Sequence, residues 1–212
     1  MEDMKPLIQL SAIEQRIIGV LIEKSRTTPD YYPMTINGLT AACNQKTSRN
    51  PVVNYDEETV VLTLNALKIK GLASTVTGAG SRAVKWKHNL AIMYPILPSD
   101  LAIVCLLLLR GPSTPGEINT NSGRMYEFET IEEVQDSLQK LANAEPAYLK
   151  QLAKKPGQKE ARYMHLFGGD QEPEISEAEI TSVAAHNPAL EDRVEKLERE
   201  VAELKEMLNL LI

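Results

Sequence analysis

The sequence predicts an α+β protein that is mainly helical and carries small β-hairpins. Two observations lead to this prediction. An order of three amphipathic helices and one hairpin occurs twice along the chain, and apolar residues at alternating intervals of four and three follow it. The repeated order is typical of tandem winged helix-turn-helix domains, and the closing pattern is typical of a coiled-coil helix. We place the first winged-helix domain at residues 1–95, the second at 96–169, an acidic linker at 170–188 and the coiled-coil helix at 189–212.

Each of the three helices of the first repeat begins at a side chain that can cap its N-terminus. The predicted capping residues are Ser11, Thr35 and Asn54, and a glutamate follows Ser11 and Asn54 three residues later, as in a capping box. Apolar residues at helical spacing carry the first helix to about Lys24, and Gly71 ends the third helix.

The second repeat shows the same three helices with different residues. An apolar helix starts at Ser99 and runs through Leu109, Thr114 precedes a proline that opens a short helix, and Thr130 forms a capping box with a glutamate. The third helices of the two repeats share their apolar spacing, and we expect four of their leucines to be buried: Leu64, Leu67, Leu138 and Leu141.

A β-hairpin follows the third helix in each repeat. Residues 72–77 and 83–88 are short runs rich in Val, Thr and Trp, and the glycine-containing turn between them predicts the first hairpin. Residues 148–152 and 160–167 flank a longer, basic tip and predict the second hairpin. Because a fold alone does not define a function, the side chains on these elements have to be weighed separately.

The net charge of −6 is unevenly distributed along the 212 residues. From residue 170 onward, 12 acidic residues stand against 4 basic ones, whereas residues 1–169 have a net charge of +2. Residues 43–88 contain seven basic and three acidic side chains, which is a local excess of +4. This distribution permits a nucleic-acid partner for the first repeat without requiring one.

Composition argues against membrane and secreted proteins. The longest apolar stretch, residues 101–109, is far shorter than the roughly 20 residues of a membrane-spanning helix, and the first ten residues carry charges rather than a signal-peptide pattern. The two cysteines, Cys43 and Cys105, lie in apolar runs and cannot form a disulfide framework. We therefore expect a cytoplasmic protein with no membrane partner.

Catalytic and metal-binding motifs are absent from the sequence. There is no P-loop, no His-Glu-x-x-His and no Gly-x-Ser-x-Gly, and the three histidines, His88, His165 and His186, lie far apart in the chain. His88 and His165 occupy matching positions at the ends of the two hairpins, where a structural hydrogen bond is favoured over a catalytic pair. We expect a protein that is not an enzyme and that uses no cofactor or metal.

Duplex DNA is the partner that the polar residues of the first repeat favour. Long Lys and Arg side chains near the third helix and the hairpin can donate hydrogen bonds to phosphates, and the side-chain amides of one Gln and one Asn can reach base edges. The candidate residues are Gln45, Lys46, Arg49, Asn50, Lys68, Arg82, Lys85 and Lys87.

Two features oppose DNA binding by the first repeat. The third helix begins with Asp56, Glu57 and Glu58, which phosphates repel. Residues 44–55 also form a longer link between helices than an ordinary helix-turn-helix contains. A protein-interaction scaffold of winged-helix form, without DNA binding, therefore stays open as the alternative.

Residues 43–52 form a polar, turn-prone loop that has two interpretations. Loops of this length are often functional or mobile. Alternatively, local side chains bond to the backbone and Arg49 closes on Asp30 or Asp56, which makes the loop an ordered cap.

Residues 189–212 carry the pattern of a two-stranded coiled coil. Two charged pairs, Arg193 with Glu198 and Glu200 with Lys205, favour a parallel homodimer. The alternative is an amphipathic helix packed on its own body, because so short a coil is only marginally stable. The seam residues are Leu190, Val194, Leu197, Val201, Leu204, Leu208 and Leu211.

Several longer motifs are spread over residues 10–168. They include Thr-Pro-Asp-Tyr-Tyr-Pro-Met-Thr at 28–35, Leu-Leu-Leu-Arg-Gly-Pro at 107–112, Arg-Met-Tyr-Glu-Phe at 124–128 and Tyr-Met-His-Leu-Phe at 163–167. In these motifs the chain resembles the YceH-like family of uncharacterised bacterial proteins. The resemblance implies a tandem winged-helix fold and brings no established activity, substrate or partner. The family usually has Asp in the dipeptide before a proline where this chain has Arg49-Asn50, which weakens any carboxylate role there.

Overall fold

The computed structural model describes residues 6–77, 83–154 and 157–170 of the chain. These ranges contain helices and short antiparallel hairpins, so the predicted α+β class is confirmed. The helices are α1 (Ala12–Thr27), α2 (Ile36–Cys43), α3 (Glu57–Ile69), α4 (Leu90–Met93), α5 (Pro98–Arg110), α6 (Pro115–Ser122) and α7 (Ile131–Ala142). The strands are β1 (Ala73–Val76), β2 (Lys85–His88), β3 (Leu149–Gln151) and β4 (Tyr163–His165), and a 3-10 turn covers Pro29–Tyr31.

The predicted order of three helices and a hairpin occurs twice within these ranges. β1 pairs with β2 and β3 pairs with β4, both antiparallel. In each repeat, one residue between the first two helices also bridges to the hairpin. Met34 bridges to Trp86 of β2, and Ser113 bridges to Tyr163 of β4. The two repeats therefore share a third, single-residue strand that the sequence pattern did not predict.

Side-chain caps set most of the helix N-termini. Ser11 closes the predicted capping box of α1, Thr35 caps α2 and Thr130 caps α7. The predicted cap of α3 at Asn54 is wrong. The carboxylate of Asp56 accepts a 2.7 Å hydrogen bond from the amide three residues further on, so that α3 starts two residues later than an Asn54 cap would place it.

Two details predicted for the second repeat also differ from the structure. α5 begins at Pro98 rather than Ser99, because proline fits the first helical position, where its missing N–H costs nothing. The side chain of Glu133 does not close a box on Thr130; it accepts a 3.0 Å hydrogen bond from the Glu129 N–H instead.

One hydrophobic core joins residues of both repeats, and α1 packs against α5 at its centre. Gly19 permits this close approach, since a Cβ at its position would lie 2.8 Å from Cδ2 of Leu109. The thiol of Cys105 donates a 3.2 Å hydrogen bond to the Gly19 carbonyl across the same contact. The predicted burial of the third-helix leucines is confirmed for Leu64, Leu67, Leu138 and Leu141.

An ion pair ties the first helix of each repeat to the C-terminal end of the third. Glu14, in the first turn of α1, lies 2.7 Å from the ammonium of Lys70 beyond α3. Asp100, in the first turn of α5, lies 2.7 Å from the ammonium of Lys140 in α7. Both carboxylates are buried and each keeps a cationic partner, as a buried charge requires.

The described residues belong to one compact unit, and the boundary at residues 95 and 96 stays a prediction. Arg82 of the candidate DNA site and all seven seam residues of the coiled coil lie outside the described residues. None of the helices in the described part of the chain is long and apolar enough to cross a membrane.

A candidate nucleic-acid interface

The link between α2 and α3 is an ordered loop held by polar side chains. The guanidinium of Arg16 donates to the carbonyl of Cys43, the last residue of α2, and to the carbonyl of Pro51 within the loop. The side chain of Asn44 forms two 2.8 Å hydrogen bonds with the backbone of Tyr55, one as donor and one as acceptor. These contacts correspond to the ordered interpretation of the loop and leave its outer residues on a fixed support.

Arg49 lies inside this loop. Its guanidinium donates to both carboxylate oxygens of Glu23, at 3.1 and 2.7 Å, and to the carbonyls of Ala42 and Ser48. A further 2.9 Å bond goes to Oε1 of Gln45. The Arg49 side chain has no exposed surface. Because its donors are already used within the protein, this arrangement argues against Arg49 as a phosphate contact.

The ion pair with Glu23 corrects one sequence prediction, in which Arg49 closed on Asp30 or Asp56. Burial raises the pKa of the Glu23 carboxyl, but the hydrogen bonds and the charge of Arg49 lower it further, so the pKa lies below its ordinary value. Glu23 is therefore ionised at neutral pH and pairs with the Arg49 guanidinium.

Three of the candidate residues lie on the exposed side of the loop. Lys46 and Asn50 are exposed, and the Asn50 N–H fixes the loop to α5 through a 2.8 Å bond to the Leu109 carbonyl. Gln45 is exposed as well, and its Oε1 also accepts a 3.5 Å bond from the ammonium of Lys24. The structure thus brings Gln45, Lys46 and Asn50 together on one loop.

The first hairpin presents two lysines on one side of β2. Lys85 lies opposite Val76 and Lys87 opposite Ser74 in the register of the hairpin. Successive side chains of a strand point to opposite faces, and Trp86, between the two lysines, is buried. Both lysines are partly exposed on the face that points away from the core. Lys68, at the end of α3, donates a 3.4 Å bond to Thr75 Oγ1.

Two further cationic side chains lie near these residues, and they were not identified as candidates from the sequence. Lys24 and Arg26 form the basic last turn of α1. Arg26 is exposed, and its charge acts together with burial to lower the pKa of His88, the last residue of β2. The signal in the sequence was a helix that ends in basic residues, but only the packing of α1 beside β2 connects it with the hairpin.

The outward face of α3 does not resemble a DNA-reading surface. Glu57 and Glu58 are exposed at its start. Leu62 is 64% exposed and Ile69 is 89% exposed further along the helix. Carboxylates are favourable at a helix N-terminus, but they repel the phosphates that a recognition helix has to approach.

His88 and His165 take equivalent places at the ends of β2 and β4. The Nδ1 atom of each is buried without a hydrogen-bond partner among the described residues, so the predicted structural hydrogen bond is not found at Nδ1. Burial lowers the pKa of each imidazole to about 4, and both rings are neutral at pH 7. Within the ranges described, no three His, Cys, Asp or Glu side chains come close enough to share a metal ion.

Comparison with known proteins identifies the family of this chain. A family model described as "Protein of unknown function, DUF480" matches residues 10–158. The chain therefore belongs to this family, which confirms the resemblance found in the sequence motifs.

Full-length relatives support the same assignment. The chain is 46% identical to a UPF0502 protein of Shewanella halifaxensis over 97% of this chain and 99% of the relative. It is 43% identical to a UPF0502 protein of Pectobacterium carotovorum over 96% of this chain and 98% of that one. The UPF0502 protein YceH of Escherichia fergusonii is also 43% identical, over 96% of both chains.

Proposed function

We propose that this chain is a tandem winged-helix protein that binds duplex DNA through its first repeat and catalyses no reaction. The binding surface, which we call the basic face, consists of Arg26, Lys46, Lys85 and Lys87. The observation that supports it best is the placement of Lys85 and Lys87 on the face of β2 that points away from buried Trp86. A winged-helix hairpin that carries lysines on its outer face is suited to phosphate contacts.

The basic face binds the DNA backbone and does not insert α3 into the major groove. Glu57 and Glu58 at the start of α3 oppose insertion, and Arg49 is held by Glu23. Gln45 and Asn50, on the loop beside Lys46, supply the side chains that can reach a base edge. With phosphate contacts dominant, affinity is largely independent of base sequence.

The proposal is tested by fluorescence anisotropy of a labelled random-sequence duplex over a salt series. Neutralising about four phosphates gives a slope of about −3 to −4 for log K against log salt. The triple variant with Lys46→Ala, Lys85→Ala and Lys87→Ala is expected to lose most of the binding and to show a much smaller slope.

The matched control removes the same number of cations from the second repeat, with Arg124→Ala, Lys154→Ala and Lys159→Ala. All three residues are exposed. We expect this control to retain binding. An equal loss in both triple variants would mean that net charge rather than the basic face drives binding, and no binding by the native protein at low salt would reject DNA as the partner.

A protein-interaction scaffold is the second candidate, and a specific observation favours it. Leu62 and Ile69 expose apolar surface on the same face of α3, and apolar side chains that share one exposed helix face can contact a partner. A scaffold of this kind retains its interactions through α3 when the basic face is neutralised.

A further inference from the structure

The outward face of α3 carries a stripe with the spacing of a helix-pairing seam. Its residues follow one another at intervals of four, three and four: Glu58, Leu62, Asn65 and Ile69. The opposite face of α3 is buried in the core through Val60, Leu64 and Leu67, so the stripe points away from the protein. Intervals of four and three place side chains along one line of a helix that a second helix can cover.

The second repeat provides an internal comparison for this stripe. The buried residues of α7 are Val134, Leu138 and Leu141, with the same spacing as those of α3. The positions of α7 and its C-cap that match the stripe are all polar: Glu132, Asp136, Gln139 and Asn143. The fold therefore does not require apolar residues on this face, and the core does not account for the exposed Leu62 and Ile69.

The charges of α3 suit a second copy of the same helix. α7 has the same order of charges, with Glu132 and Glu133 in its first turn and Lys140 in its last, so the apolar side chains of the stripe are what distinguish α3. The N-terminal end of the helix is acidic, with Asp56 at the cap and Glu57 and Glu58 in the first turn. Its last turn carries Lys68. A helix with opposite charges at its two ends is complementary to a copy of itself that runs in the opposite direction.

We propose that α3 pairs with α3 of a second copy of this chain, antiparallel about a two-fold axis. A register that sets Leu62 against Asn65 of the partner subunit also sets Glu58 level with Ile69 of the partner subunit. Lys68 of the partner subunit then lies level with Thr59 and beside Glu58. The two-fold axis repeats each contact, so the interface contains two leucines, two isoleucines and two ion pairs.

The pairing is weak and separate from the basic face. A 13-residue helix is about 20 Å long, and two such helices alone bury much less than the roughly 1,200 Å² of a stable interface. Pairing therefore depends on protein concentration. It also differs from a coiled coil of residues 189–212, and the experiment has to report on α3 itself.

Site-specific cross-linking of the full-length chain meets this requirement. Asn65→Cys places a thiol on the stripe, and the two native cysteines, Cys43 and Cys105, are buried. A short bis-maleimide is expected to join two copies. The control is Gln139→Cys at the matching position of α7, which is expected to remain uncross-linked even if the chains are joined elsewhere.

Two sets of variants then test the contacts. Adding Leu62→Asp and Ile69→Asn, the residues that α7 carries, is expected to lower the yield of covalent dimer from Asn65→Cys at least about tenfold. Both native side chains are exposed, so the thermal unfolding of the chain should be unchanged. Glu58→Lys and Lys68→Glu are each expected to lower the yield, and the two together are expected to restore it.

Three results would overturn the pairing. One is a yield for Asn65→Cys that is no higher than for Gln139→Cys. Another is a yield that Leu62→Asp and Ile69→Asn leave unchanged while the fold is intact. The third is a failure of the charge exchange to restore cross-linking, which would reject the antiparallel register.

Discussion

Replacing Arg49 by methionine should destabilise the folded chain without acting directly on the surface proposed to bind DNA. The substitution keeps a long side chain and removes every guanidinium donor. In the native protein these donors hold both oxygens of Glu23, two carbonyls and Gln45, and the Arg49 side chain is fully enclosed. Methionine leaves the Glu23 carboxylate, whose side chain is only 15% exposed, without its main partner.

The size of the effect follows from the buried pair. Removing one member of a buried ion pair costs about 3–5 kcal/mol, because the other charge stays buried. Lys24 remains 3.1 Å from Glu23 and compensates in part, so we expect a loss of about 3 kcal/mol in the free energy of unfolding at pH 7. For a unit of this size that corresponds to a fall in Tm of roughly 6–12 °C.

The pH dependence of the loss has a definite sign. Arg49 holds the folded-state pKa of Glu23 below its ordinary value of 4.5, so the pair stabilises the native protein above that pH. In the variant, burial without Arg49 raises the folded-state pKa of Glu23, and protonation relieves the buried charge. The difference in stability between the two proteins should therefore be largest at pH 7 and shrink as the pH falls below about 5.

Urea unfolding followed by Trp86 fluorescence measures this difference, since Trp86 is the single tryptophan and is buried. Lys46→Met on the same loop is the control and should change stability by less than about 0.5 kcal/mol. A similar small change for Arg49→Met would refute the structural role. If the folded variant instead lost DNA affinity and salt slope as the basic-face variant does, Arg49 would be a phosphate contact.

Two further predictions concern the histidines and the tail. His88 and His165 have folded-state pKa values of about 4, so below pH 6.5 the unfolded chain binds more protons than the folded chain. The free energy of unfolding should therefore fall by up to about 3 kcal/mol per histidine from pH 6.5 to pH 4. In urea unfolding, a variant with both histidines changed to Gln should show a shallower pH dependence. Truncation after Gly169 removes residues 170–212, including the predicted coiled-coil helix at 189–212. At low protein concentration it should convert the expected dimer into a folded monomer. A full-length chain whose apparent mass in sedimentation equilibrium equals that of a single protomer would contradict a dimer formed by the tail.

Local patterns predicted much of the fold. The caps at Ser11, Thr35 and Thr130 depend on hydrogen bonds within three residues, and the buried leucines follow from helical spacing alone. The cap of α3 was misplaced because Asn54 and Asp56 are both good capping residues, two positions apart. The choice between them depends on tertiary contacts such as the bonds of Asn44 to Tyr55, which fix the approach to the helix.

The candidate site was harder to predict because its partners are distant in the sequence. Glu23, which binds Arg49, lies on α1, 26 residues before it, and the sequence alone made Asp30 and Asp56 equally suitable partners. The exposure of Leu62 and Ile69 was not predicted either. Helical spacing marks the face of Val60, Leu64 and Leu67 as buried, but it does not explain why two more apolar residues lie on the opposite face. The short helix α4 was not predicted, because four residues are too few to show helical periodicity.

The division of charge on the first repeat connects the two proposals. Asp56, Glu57 and Glu58 stabilise the start of α3 through its macrodipole, and the same acids keep DNA away from the helix that would ordinarily read it. Lys85 and Lys87 of β2, by contrast, attract phosphates. If α3 pairs with a second copy and the basic face binds phosphate, Leu62→Asp with Ile69→Asn should lower the cross-linking yield at α3 and leave the DNA affinity of each chain unchanged. Neutralising the basic face should do the reverse, because the two sets of contacts have no residue in common.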